Sequence, residues 1–115
     1  MLAHGALLRK NFFSSDELIK IIKDFRKAGL TDEEVAVMSF AQKIVTQASQ
    51  ITEKDIEVLH GYGLSDEEIL NVVLACSARS FFSRTLDALG AVPDEVYKQF
   101  EPELLQQLAR GRHFP

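Results

Sequence analysis

The sequence predicts an all-α fold. Apolar residues recur at i, i+3, i+4 and i+7, the spacing that builds one face of a helix. The runs open on Ser or Thr followed by acidic residues and close on glycine, as helices do. No stretch alternates apolar and polar residues as a half-buried strand does. Of 115 residues, 46% are apolar and 26% charged, ordinary values for a globular chain. That length suits one domain, 1–115 with a loose tail from about residue 111, and gives enough core to dispense with metal or disulfide staples.

The first helix covers residues 1–11 and has no capping residue before Leu2. Ser14 with Glu17 has capping-box spacing and starts the second helix, whose inward face is Leu18, Ile21, Ile22 and Phe25, with Gly29 as its stop. Thr31 with Glu34 starts the third, with a stripe of Val37, Phe40, Ala41, Ile44 and Ala48. Thr52 caps a short helix carrying Ile56 and Leu59, closed by Gly61-Tyr62-Gly63. Ser65 caps the longest helix, which runs to Gly90 with Asp66, Glu67 and Glu68 against its positive N-terminal dipole. Its first half is apolar on nearly every side, so it is expected to be the central helix around which the others pack. Pro93-Asp94-Glu95 starts a helical piece with Val96, Tyr97 and Phe100; Pro102 starts another with Leu104, Leu105 and Leu108 inward. The total is about six or seven helices. Gly29-Leu30-Thr31-Asp32-Glu33-Glu34 recurs 34 residues on, as Gly63-Leu64-Ser65-Asp66-Glu67-Glu68. The signature positions of a repeat array do not follow it, so it reads as two helix stop–start junctions.

A net charge of −4 argues against a nucleic-acid partner, which needs clustered Lys and Arg. Cys76 is the one cysteine, so no internal disulfide or Cys-rich zinc site is expected. The N-terminus lacks the order of a signal peptide, and the apolar run Ile69 to Ala78 is about half the ~20 residues that span a bilayer. The expectation is a cytoplasmic protein with no membrane partner.

Wound at about 100° per residue, the long helix places Cys76, Ser80, Ser83, Arg84 and Asp87 on one side and Phe81, Phe82, Leu86 and Leu89 on the other. Cys76 reads either as a thiol with its pKa lowered by Arg79 or Arg84, or as a small buried hydrophobe; the second is preferred. Arg84 and Asp87 are spaced to pair, as a buried salt bridge or a contact with a neighbouring subunit. His4, His60 and His113 are scattered, without partners of metal-ligand spacing. His60, near a helix C-terminus, reads as structural. There is no G-x-S-x-G elbow and no glycine-rich phosphate loop. No metal or cofactor is expected.

The segment I-T-E-K-D-I-E-V-L-H-G-Y-G-L-S-D-E-E-I-L-N-V-V-L-A-C-S-A-R-S-F-F-S-R-T-L-D-A-L-G, together with A-H-G-A-L-L-R and the following D-E-L-I-x-x-I-x-x-D-F-R, resembles the peroxidase-related proteins of the carboxymuconolactone decarboxylase and alkylhydroperoxidase-D-like superfamily. The resemblance covers most of residues 3–92. It implies an all-helical bundle that forms homo-oligomers, a role in antioxidant defence, and peroxide reduction by a Cys-x-x-Cys pair with a following histidine and a thiol reductant. His4 aligns with that histidine. The two motif cysteines would fall before Met1, and Cys76 matches neither. The expectation is therefore a chain that has the fold, keeps His4 as a motif remnant, and is inactive as a dithiol peroxidase. Two alternatives stand beside it. One is a non-catalytic helical interaction module, with Phe12 and Phe13 as candidate interface residues. The other is a carboxymuconolactone-decarboxylase-like enzyme using His4, His60 or Arg84.

Overall fold

Six α-helices and three short 3-10 turns make up the computed structural model, which describes residues 2–92 and 94–109; no strand occurs among them. The helices are α1 (Leu2–Asn11), α2 (Ser15–Asp24), α3 (Asp32–Gln47), α4 (Glu53–Gly61), α5 (Asp66–Ala88) and α6 (Pro102–Leu108). The 3-10 turns are Phe25–Lys27, Ala48–Gln50 and Glu95–Gln99. The chain divides into two compact units, Leu30–Gly90 and the pair of segments Met1–Gly29 and Ala91–Pro115. Leu30–Gly90 is thus nested, in sequence, inside the other. The joints fall at Gly29 (φ 79°) and Gly90 (φ 71°), left-handed conformations that cost glycine little.

In the two-segment unit, α2 packs against α6 and α1 against both. The core is Leu18, Ile19, Leu104, Leu108 and Ala109, flanked by Phe13, Ile22, Tyr97, Phe100 and Leu105. Ile19, which the periodicity leaves outside the inward face, is buried, while Ile21 is half-buried. The second helix is also shorter than its spacing predicts. Asp24 adopts an extended conformation (φ −159°, ψ 98°) and its carboxylate accepts from the Arg26 N–H at 3.1 Å, so Phe25 begins a separate turn. Gly5 brings α1 against α6: a Cβ there would lie 2.6 Å from both methyl carbons of Leu108. Arg9 joins the same parts by charge. Its Nε donates to Ser15 Oγ at 2.9 Å and to Glu101 Oε2 at 3.1 Å, and its Nη2 donates to Glu101 Oε1.

In the nested unit, α3 packs on α4 and α5 around Phe40, Leu59 and Ile69, with Val37, Ile44, Ile56, Leu64, Val72 and Val73 partly covered beside them. The three capping boxes at Ser14, Thr31 and Ser65 all form in both directions. Ser65 Oγ, for example, accepts from the Glu68 N–H at 3.1 Å while Glu68 Oε2 accepts from the Ser65 N–H at 2.7 Å. Asp55 caps α4 by accepting from the Thr52 N–H at 2.8 Å, and Lys43 of α3 donates to the same oxygen at 2.7 Å. Those two bonds, Lys43 first, hold the Asp55 carboxyl below its usual range.

The long helix corrects the expectation of a buried axis. Ile69 is its only buried residue among those described. One side, with Ile69, Val72 and Val73, packs in the nested unit's core; Leu70, Leu74, Phe81 and Phe82, and Leu89 at its C-terminal cap, are exposed. The apolar first half therefore serves two opposite faces, of which one is covered.

Candidate functional site

The residues singled out by chemistry fall in both units. His4 is exposed on α1, in the two-segment unit. Cys76 is in the nested unit, half-buried and unbridged on α5, where burial pushes its thiol up. The shift is opposite to the one that activates a thiolate, and neither Arg79 nor Arg84 counters it. His60 Nε2 lies 2.7 Å from Asp66 Oδ1, tying the end of α4 to the first turn of α5 across Gly61-Tyr62-Gly63. That contact adds a specific partner to the structural reading of His60. Arg84 and Asp87 are both exposed, so their spacing makes no buried lock. His113 lies outside the described residues. Among the described residues, no three His, Cys, Asp or Glu side chains group as metal ligands would. No helix among them is long and apolar enough to cross a membrane.

What the structure does assemble is the outer face of α5. At about 100° per residue, Leu70, Leu74, Ala78, Phe81, Thr85 and Leu89 fall within roughly 100° of arc, with Phe82 beside them. All seven are exposed. The helix is anchored for this by its other side. Ile69 is buried, and Val72, Val73, Cys76, Ser80 and Ser83 are half-buried. The side containing Cys76, Ser80 and Ser83 is thus the more covered one, and the phenylalanines face out. The charged residues of this span, Arg79, Arg84 and Asp87, lie roughly 90° or more from the centre of the stripe.

Such a face has no catalytic group on it. It has the composition of an interface core, with leucine and phenylalanine and no charge to desolvate. Monomeric proteins rarely expose apolar patches larger than a few hundred Å², and larger ones mark binding surfaces. The periodicity contained these residues but gave no means to tell a face that packs inside the chain from one that packs on something else. Of the interface residues expected on α1 and after it, Phe12 is exposed, whereas Phe13 packs on the Leu18–Leu104 core.

Comparison with protein-family models, curated proteins and solved structures returns no match for this chain.

Proposed function

We propose that this chain is a helical interaction module that works by docking through the outer face of α5, with no dithiol chemistry of its own. The observation that carries the reading is the exposure of Leu70, Leu74, Phe81, Phe82 and Leu89 on or beside one uncharged face. The raised Cys76 thiol supports the second half. Glutamate at Leu74 and Phe81 tests the first. Both side chains are exposed, so the double variant should keep its far-UV circular dichroism. Loss of the folded state would place the face in the chain's own core and overturn the reading.

The alkylhydroperoxidase-D-like resemblance is retained as a second reading: a peroxidase-related protein of antioxidant defence in which His4 aligns with the motif histidine and these 115 residues hold no Cys-x-x-Cys pair. An all-helical architecture supports it at the level of fold class. The two readings are compatible, since both expect no peroxide turnover from this chain with a dithiol reductant. Robust turnover that survives Cys76→Ser would overturn both. The decarboxylase-like alternative has less support, because His60 is engaged by Asp66.

A further inference from the structure

We draw no further inference here: the strongest candidate, the exposed apolar outer face of α5 between Leu70 and Leu89, belongs to the docking surface already described, and nothing in the structure shows what covers it.

Discussion

Adding one methyl group at Gly5 sets two opposing effects against each other. Gly5 lies within α1, where alanine is favoured over glycine by ~0.5–1 kcal/mol from helix propensity alone. The new Cβ would fall 2.6 Å from both Leu108 methyl carbons and 3.2 Å from its Cγ. Leu108 is itself buried in the same core as Leu18, Ile19, Leu104 and Ala109, so it has little room to give way. Overpacking of this kind costs ~1–3 kcal/mol. Gly5→Ala should therefore destabilise the two-segment unit by a net ~1–2 kcal/mol, the packing term being the larger. The assay is urea unfolding followed by tyrosine fluorescence. The protein has two tyrosines and no tryptophan, and Tyr97 packs on this core, so a Tyr62→Phe background isolates the signal. Leu108→Ala supplies the control. Alone it should cost ~2–5 kcal/mol, but it removes both clashing methyls, so Gly5→Ala in that background should become neutral or stabilising by up to ~1 kcal/mol. A stabilising Gly5→Ala in the parent, or the same effect in both backgrounds, would refute the account.

Three further expectations follow from particular contacts. Arg9 holds the Glu101 carboxyl down to about 2 in the fold. A depressed pKa means the unfolded chain takes up its proton first, so this contribution is intact above the ordinary carboxylate range and fades as pH falls toward 2. Glu101→Gln should flatten that part of the acid-unfolding curve, and a curve identical to the parent's would show the bond to be inconsequential in solution. Leu59 is fully buried between α3, α4 and α5, so Leu59→Ala should cost the nested unit ~2–5 kcal/mol in a denaturant titration; a loss under ~1 kcal/mol would mean that the site collapses to fill the gap. Cys76 should alkylate slowly at neutral pH and accelerate only above the ordinary thiol range, as its burial dictates; a fast neutral-pH reaction would restore it as a candidate reactive thiol.

Local signals in the sequence were accurate guides to the fold. Ser14, Thr31 and Ser65 each sit three residues before a glutamate, and each forms the reciprocal bonds that spacing implies. Leu59, Leu104 and Leu108 are inward as their helix positions require. Phe25 left its helix because Asp24 found a backbone donor two residues on, a competition that apolar spacing does not register. The Arg9–Glu101 bond and the Gly5–Leu108 approach join residues about 90 and 100 positions apart, and neither end has any local pattern announcing the other. The outer face of α5 was legible as apolar but not as outer. Leucine and phenylalanine at helix spacing look alike whether they meet the same chain or another surface.

The nesting of Leu30–Gly90 has a consequence for synthesis. Leu18 and Ile19 share their core with Leu104 and Leu108, so one half of that unit leaves the ribosome long before the other. At roughly 5–20 residues per second, the delay between Gly29 and the end of α6 is about 4–16 s. Throughout that interval the apolar side of α2 lacks its partner. The nested unit needs only α3, α4 and α5, which are consecutive in the chain, and its short loop closures favour early folding. It is then the first part to become structured, and the two-segment unit, waiting with half its core exposed, is where a chaperone or an aggregation event would act during translation.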